Sequence, residues 1–184
     1  MAGIDEAGVA PLAGPVVAAA VILKPGTTLR LLPKVRDSKL MSPLERQRLY
    51  DIIIGRAEDF AVGVAEVHEI ESINIRQATL LAMRRAFKQL KKADMVMVDG
   101  PWTIPGISNL QFAVVDGDAK IASISAASII AKVTRDLMMN DLHHKFPQYG
   151  FDRHKGYPTK LHALRLKEYG PSPVHRQSFL KNFI

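Results

Sequence analysis

The chain has 184 residues, 47% of them hydrophobic, which suits one ordinary domain with a substantial core. Its 25 basic and 18 acidic residues give a formal net charge of +7, which suits a polyanionic partner, although plain solubility explains the charge equally well. The absence of cysteine excludes disulfides, thiolate metal sites and cysteine nucleophiles. No apolar run reaches about 18 residues, so no membrane-spanning helix is expected. Acidic residues near the start argue against a signal peptide, and a cytoplasmic location is expected.

The apolar pattern predicts strands and helices that alternate through one α/β domain. The predicted strands cover residues 2–5, 16–23, 60–67, 95–98 and 111–115. The predicted helices cover residues 43–55, 72–91, 121–144 and 159–169. The first helix has the clearest start, because Ser42 supplies an N-cap, Pro43 suits the first position and Glu45 completes a capping box. Small residues in the first half of the third helix predict close approach to a sheet.

Acidic residues recur where these strands are predicted to end. Asp5 and Glu6 close the first strand, Asp99 closes the fourth, and Asp118 follows the fifth. A single acid at such a position is usually a turn former or a helix cap. Several acids that converge in a basic protein instead suggest a site for two metal ions, which stabilises both oxygens of a phosphodiester displacement. Asp116 is close enough in sequence that the pattern alone does not choose between it and Asp118.

Aromatic and basic residues alternate in the last third of the chain. Tyr157 lies between Gly156 and Pro158, where a buried anchor is not needed, so stacking on nucleic acid is favoured for its ring. Phe146 and Tyr149 fit the core as well as they fit a binding surface. The six histidines show no zinc-ligand spacing, and His154 is predicted to be a surface residue or a phosphate contact.

A set of short motifs, taken together and in order, resembles bacterial ribonuclease HII. The motifs are GIDEAG (3–8), PLAGPVVAAAV (11–21), DSK (37–39), VDG (98–100), GD (117–118), SAASIIAKVTRD (125–136), FPQYG (146–150), HKGYPT (154–159) and HRQSF (175–179). No single motif is decisive, but the whole set covers the chain from residue 2 to about residue 179.

The resemblance implies a ribonuclease H-like fold, in which a five-stranded mixed sheet is flanked by helices. It implies one catalytic domain over residues 1–184, with a helical substrate-binding region from about residue 145 to residue 184. It also implies an endoribonuclease that cleaves the RNA strand of RNA/DNA hybrids. Such an enzyme incises on the 5′ side of ribonucleotides embedded in DNA by a two-metal mechanism with Mg²⁺ or Mn²⁺, and leaves a 3′-hydroxyl and a 5′-phosphate. A monomer that binds nucleic acid and no membrane is expected.

The resemblance also assigns roles to individual residues. The metal ligands and catalytic residues that it implies are Asp5, Glu6, Asp99 and Asp118, with Asp118 preferred to Asp116 because it occupies the Gly-Asp step. The substrate-binding residues that it implies are Gly8, Val9, Ala10, Ser38, Lys39 and Tyr157. Among these, Tyr157 lies against the sugar next to the ribonucleotide, and Ser38 and Lys39 contact phosphates near the scissile bond.

Two short segments depart from the family pattern. Val9 and Ala10 stand where the family usually has Arg and Gly after Gly8, and Leu40 stands where a second lysine is common. Both changes predict a weaker grip on substrate and lower selectivity for a lone ribonucleotide, because a charged donor and a flexible glycine are lost. They leave open a catalytically weakened hybrid-binding protein, and a nuclease of the same fold that cuts DNA junctions is a further alternative.

Overall fold

A five-stranded mixed sheet forms the centre of the computed structural model, which describes residues 1–28 and 42–183. The strands are β1 (Ala2–Ala7), β2 (Val16–Leu23), β3 (Ala57–Ala65), β4 (Met95–Asp99) and β5 (Leu110–Val114). Their order in the sheet is β3-β2-β1-β4-β5. Strands β1, β2 and β3 pair antiparallel, whereas β4 pairs parallel with both β1 and β5. This is the predicted ribonuclease H-like arrangement, with β1 at the centre.

Helices cover both faces of the sheet and continue beyond it toward the C-terminus. They are α1 (Pro43–Arg56), α2 (Val67–Ile73), α3 (Ile75–Lys88), α4 (Gly117–Lys120), α5 (Ala122–Lys145), α6 (Phe151–His154) and α7 (Lys160–Tyr169). Short 3₁₀ helices cover Pro147–Tyr149 and Gln177–Asn182. The Ser42–Glu45 capping box is present at the start of α1, as predicted.

Two apolar clusters form the core, one on each face of the sheet. On one face, α3 buries Ala78, Ala82 and Met83 against strand residues such as Ile4. On the other face, α1 and α5 pack against β2. The predicted close approach of α5 is confirmed at Gly3, where a Cβ atom would lie 2.3 Å from the Ile124 nitrogen. The backbones of α5 and β1 are therefore in direct contact.

Three sequence predictions about element boundaries were wrong. First, β1 continues to Ala7, so Asp5 and Glu6 lie within the strand and not at its end. Second, the strand predicted over residues 60–67 covers Ala57–Ala65. Third, the helix predicted over residues 72–91 is two helices, which meet at Asn74.

Asn74 separates the two helices because its backbone is left-handed in φ and its side chain caps the second one. Its φ is 69°, and its Oδ1 accepts a hydrogen bond of 3.2 Å from the Gln77 N–H. Asparagine is more often found at positive φ than most other residues, and it is a preferred helix cap. The break turns Ile73, predicted to be buried, outward so that it is 37% exposed.

The segment between β1 and β2 lies between the sheet and the C-terminal elements. The Leu12 N–H donates to the Gly156 carbonyl, and the Leu12 carbonyl accepts from the Arg176 N–H. The Gly14 N–H donates to the Val174 carbonyl. These bonds join the beginning and the end of the chain.

Candidate active site

The central strands bring the predicted carboxylates to one place. The parallel register pairs Ile4 with Val98, so Asp5 and Asp99 follow as neighbours on adjacent strands. Asp118 is the second residue of α4, directly after Gly117, whose N–H donates a 2.7 Å hydrogen bond to Asp99 Oδ1. Consecutive strand residues point to opposite faces. Asp5 therefore points toward α5, and Glu6 points toward α3.

Burial and repulsion from neighbouring carboxylates disfavour the charged forms of Asp5 and Asp99. Burial raises the pKa of Asp5 well above its usual range, and the carboxylates of Glu6 and Asp99 raise it further. Burial also raises the pKa of Asp99; the Gly117 N–H opposes this rise and the charge of Asp118 adds to it. A bound cation would relieve this repulsion.

Asp116, the alternative to Asp118, lies on the surface. It is exposed, its φ is 54°, and its side chain caps no N–H of α4. Asp118 is the aspartate that interacts electrostatically with Asp99. The geometry therefore favours Asp118 as the partner of Asp99.

The donor chemistry of this cluster suits a hard divalent cation. Its side chains offer only carboxylate oxygens, the ligands that Mg²⁺ and similar ions take in proteins. Within residues 1–28 and 42–183, no group of three or more His, Asp or Glu side chains is already arranged to coordinate one metal ion. The carboxylates are thus close enough to interact without forming a closed ligand set.

Two buried arginines hold the loop that contains Gly8, Val9 and Ala10. Arg176 donates to the carbonyls of Gly8, Val9 and Gly14 at 2.7–3.0 Å. Its side chain is 0% exposed, and burial lowers its pKa to about 9. Because these carbonyls are directed into the protein, the loop is fixed from beneath, while Val9 remains 39% exposed on the cleft side.

Arg135 of α5 completes the support of the loop. It donates to the carbonyls of Ala13, Pro15 and Lys155 at 2.9–3.0 Å. Gly8 has a φ of 100°, and a Cβ atom there would lie 2.2 Å from Arg135 Nε, so no other residue fits.

Ala10 fits the loop without the glycine that the family pattern has. Among the described residues, positive φ outside glycine occurs only at Asn74, Asp116 and Lys155, so Ala10 carries no left-handed strain. The departure from the family pattern at Ala10 therefore needs no change in this backbone.

Tyr157 lies across a cleft of about 520 Å³ from the loop. Its ring is 37% exposed, with Lys132 Nζ 5.5 Å and the Arg135 guanidinium 5.8 Å from the ring centroid. Glu6 and Ser128 also line this cleft, and the Ser128 side chain bonds to Asp5. The cleft thus combines an exposed ring, a cation and the Glu6 carboxylate.

A chain of neutral imidazoles holds the backbone of Tyr157. His162 Nδ1 lies 2.9 Å from the Tyr157 carbonyl, so it must donate, which leaves its Nε2 as an acceptor. His175 Nε2 lies 2.9 Å from that atom and donates to it. His175 Nδ1 in turn accepts from the Ser172 N–H at 2.9 Å. Each ring therefore has one consistent tautomer.

The prediction that His154 is a surface residue or a phosphate contact was wrong. It is 7% exposed, its Nε2–H donates to the Tyr149 carbonyl at 2.9 Å, and its ring stacks on His162. Tyr149 is 3% exposed and belongs to the core. Aromatic residues in the region from about residue 145 therefore build a small core that supports the exposed ring of Tyr157.

Sequence reasoning missed several residues that shape this site. They are Arg76, Trp102, Ser128, Lys132, Arg135, His162, His175 and Arg176. Spacing gives no signal for Arg135 and Arg176, because they have partners more than 100 residues away in the sequence. Ser38 and Lys39, predicted phosphate contacts, and Leu40 lie outside the described residues.

Comparison with known proteins decides the family. A model of the family described as Ribonuclease HII matches residues 2–182. The chain belongs to the ribonuclease HII family. A ribonuclease HII of Dechloromonas aromatica is 54% identical over 178 residues, which cover 96% of this chain and 89% of that protein. One of Burkholderia ambifaria is 51% identical over 178 residues, covering 96% and 80%.

Solved structures show the same fold. The ribonuclease H2 of Pyrococcus horikoshii superposes with a TM-score of 0.79 at 29% identity, covering 96% of this chain and 92% of that one. The ribonuclease HII of Archaeoglobus fulgidus, solved in a complex with PCNA, gives 0.77 at 26% identity, covering 99% and 95%. The chain is thus a ribonuclease HII-type endoribonuclease, which cleaves RNA in RNA/DNA hybrids and at ribonucleotides embedded in DNA. Its family uses divalent metal ions.

Within the described part of the chain, no helix has the length and apolar character needed to cross a membrane.

Proposed function

We propose that Asp5, Glu6, Asp99 and Asp118 hold the divalent cations, Mg²⁺ or Mn²⁺, with which this ribonuclease HII hydrolyses the phosphodiester on the 5′ side of a ribonucleotide. The observation that carries the proposal is the convergence of these carboxylates, with raised pKa values at Asp5 and Asp99. When bound, two such ions stabilise the attacking and leaving oxygens of the displacement. The products are a 3′-hydroxyl and a 5′-phosphate.

The other residues of the cleft position the substrate. The backbone of Gly8, Val9 and Ala10, held by Arg176, faces the ribonucleotide, and the Tyr157 ring lies against the neighbouring sugar. Lys132 lies beside the Tyr157 ring, so its charge attracts a phosphate next to the sugar that this ring contacts. Lys132 also forms a 2.6 Å ion pair with Asp136. Ser38 and Lys39 remain proposed phosphate contacts.

At the level of the molecule, the enzyme acts as a cytoplasmic monomer on nucleic acid. Residues from about 145 to 184, which carry Tyr157 and its supporting histidines, form one wall of the substrate surface. Sedimentation of the protein with and without duplex tests the monomer, and a dimer would contradict it.

The decisive experiment uses a DNA duplex that carries one ribonucleotide and a label at each end. With Mg²⁺ or Mn²⁺, we expect one cut on the 5′ side of the ribonucleotide, and no cut with excess EDTA. Ligation of the upstream fragment, which needs a 3′-hydroxyl, reports the product ends. An all-DNA branched substrate serves as the control.

Each outcome decides between the proposals. Binding without any cut under all metal conditions would favour the hybrid-binding protein without turnover. Cleavage of the branched DNA would favour the junction nuclease. A cut on the 3′ side of the ribonucleotide would contradict the proposed polarity.

A further inference from the structure

A second aromatic surface lies on the side of the carboxylates opposite Tyr157. Trp102, the single tryptophan of the chain, is 53% exposed. Tryptophan is highly buried on average, so this exposed fraction is a feature to account for. The Arg76 guanidinium lies 4.9 Å from the ring centroid of Trp102. Together the two side chains form a flat, cationic surface, which we call the Trp102–Arg76 platform.

Trp102 is presented by a loop that is tied to the core. The loop leaves β4 at Gly100, whose N–H donates to the Val114 carbonyl. Two residues beyond Trp102, Ile104 is 1% exposed, and its N–H and carbonyl both bond to the Gln111 side-chain amide at 2.8 and 3.0 Å. The exposed ring is therefore held in place between two anchored ends.

Arg76 is positioned by the helix break at Asn74. Because α3 begins afresh at Ile75, its first turn directs Arg76 toward the loop after β4. Among the residues that the structure describes, no carboxylate or hydrogen-bond acceptor occupies its guanidinium. Its charge is thus free to meet an anion from solvent.

The platform is continuous with the carboxylates. A cavity of about 250 Å³ is lined by Trp102 and Arg76 together with Glu6, Val9 and Asp99. Glu6 and Val9 also line the cleft that holds Tyr157. The two cavities therefore share a wall, and the proposed metal site lies between an exposed tyrosine and an exposed tryptophan.

We propose that the platform binds the nucleotide of the cleaved strand on the far side of the scissile phosphate from Tyr157. Because the bases of a duplex are already stacked on one another, the Trp102 ring packs against the sugar of that nucleotide, and Arg76 neutralises its phosphate. Contacts to sugar and phosphate carry no sequence information, which suits an enzyme that must act wherever a ribonucleotide occurs. Continuity with the carboxylates and the free charge of Arg76 favour nucleic acid as the occupant over a protein. The inference rests on the proposed function.

Because Trp102 is the only tryptophan, its intrinsic fluorescence reports on this surface alone. The protein in EDTA, which cannot cleave, is titrated with the ribonucleotide-containing duplex, and binding is followed by the anisotropy of a label on the DNA. We expect tryptophan emission to be quenched in step with the anisotropy. A full rise in anisotropy with unchanged emission would overturn the proposal.

Variants test the contribution to binding. Trp102→Ala is expected to raise KM about fivefold, from the loss of the ring that packs on one sugar, with kcat within about twofold of the original. Trp102→Phe, which keeps a ring, should recover most of this loss. Arg76→Ala should raise KM about threefold and make the slope of log affinity against log salt shallower by about 0.9.

The matched controls lie outside the platform. Phe112→Ala removes a 45% exposed ring from β5, and Arg48→Ala removes an exposed charge from α1, so neither should alter KM. The Trp102→Ala effect should persist when an abasic nucleotide, which keeps its sugar, occupies the contacted position. An unchanged KM in a folded Trp102→Ala that still cleaves would refute the platform and leave the proposed function intact. Failure of the unmodified protein to cleave would count against both.

Discussion

Asp5 is only 5% exposed and lies near the carboxylates of Glu6 and Asp99. This environment disfavours the ionised form of Asp5, which is the form that binds a cation. Such a group is retained at a cost to the stability of the fold, a pattern common at active sites. The same physical feature therefore has opposite consequences for folding and for chemistry.

Asp5→Asn is expected to abolish cleavage and to stabilise the metal-free protein. The amide is a poor ligand for Mg²⁺, and removing the buried charge should raise the free energy of unfolding by about 1 kcal/mol. Cleavage assays and denaturation in EDTA measure the two effects. Asp116→Asn, at an exposed acid nearby, is the control and should change neither. Near-native turnover by a folded Asp5→Asn would refute the metal assignment.

Val9 is the residue at which this chain departs most clearly from its family pattern. Its carbonyl is fixed by Arg176, while its exposed side chain lines both cavities of the site. A side chain without a donor leaves recognition of the ribonucleotide to backbone N–H groups. Those groups survive any non-proline substitution, so recognition is weakened and not removed.

The double change Val9→Arg with Ala10→Gly is expected to improve selectivity for a lone ribonucleotide. A charge-assisted hydrogen bond contributes about 1.5–3 kcal/mol, so kcat/KM on one embedded ribonucleotide should rise by about one to two orders of magnitude. The measurement is the ratio of that value to kcat/KM on a full hybrid. An unchanged ratio would mean that the loop is not limiting.

The chain of hydrogen-bonded histidines joins two elements, α7 and the segment before the last 3₁₀ helix. Burial lowers the pKa of His162 to about 4, and burial together with the charge of His162 lowers that of His175 to about 4, from 6.5. The unfolded chain therefore binds protons from about pH 6.5 downward, whereas the folded chain does so only near pH 4. Stability is full above pH 6.5 and is lost as the pH falls toward 4.

His162→Gln should flatten this dependence. At pH 7 the variant is expected to be less stable by about 1–2 kcal/mol, because hydrogen bonds to His175 and to the Tyr157 carbonyl are lost. As the pH falls, the two free energies of unfolding should converge, since the variant has one fewer buried imidazole. Urea denaturation at several pH values measures this. His144→Gln, at an exposed histidine, should run parallel to the original, and a parallel His162→Gln curve would contradict the role of burial.

At the scale of the whole molecule, the C-terminal elements determine the shape of a loop near the N-terminus. Arg176 is 168 residues from Gly8, yet its guanidinium satisfies the Gly8 carbonyl at 2.7 Å. Without it, the carbonyls of Gly8, Val9 and Gly14 would be buried and unpaired. Folding of the last segment is thus coupled to the geometry of the proposed substrate loop.

Arg176→Met, which keeps an apolar stem of similar length, should lower the free energy of unfolding by about 3 kcal/mol or more, because buried carbonyls lose their donors. It should also lower kcat/KM on a single ribonucleotide more than on a full hybrid. Denaturation and the two cleavage assays measure these effects. Arg165→Met, at a half-exposed arginine paired with Glu168, should cost under about 0.5 kcal/mol. Equal losses on the two substrates would show that Arg176 acts on stability alone.

The elements that depend on local chemistry could be located from the residues alone. Apolar periodicity located all five strands, although their ends moved by up to three residues, as with the strand predicted over 60–67 and observed at Ala57–Ala65. The capping residues Ser42 and Glu45 located α1. The motifs and their order along the sequence were enough to indicate the family and the four candidate carboxylates without any three-dimensional information.

Contacts between distant residues became known from the folded chain. The register of β1 with β4 makes neighbours of Asp5 and Asp99, and the position of α4 favours Asp118 over Asp116. Burial of Arg135, His154 and Arg176 had no signal in the sequence, because polar residues are normally exposed and these are buried only because backbone carbonyls elsewhere in the chain accept their hydrogen bonds. Pairing across more than 100 residues leaves no period to read for the loop supports, and Trp102 and Arg76 lie on different elements, so both features emerged only once the chain was folded.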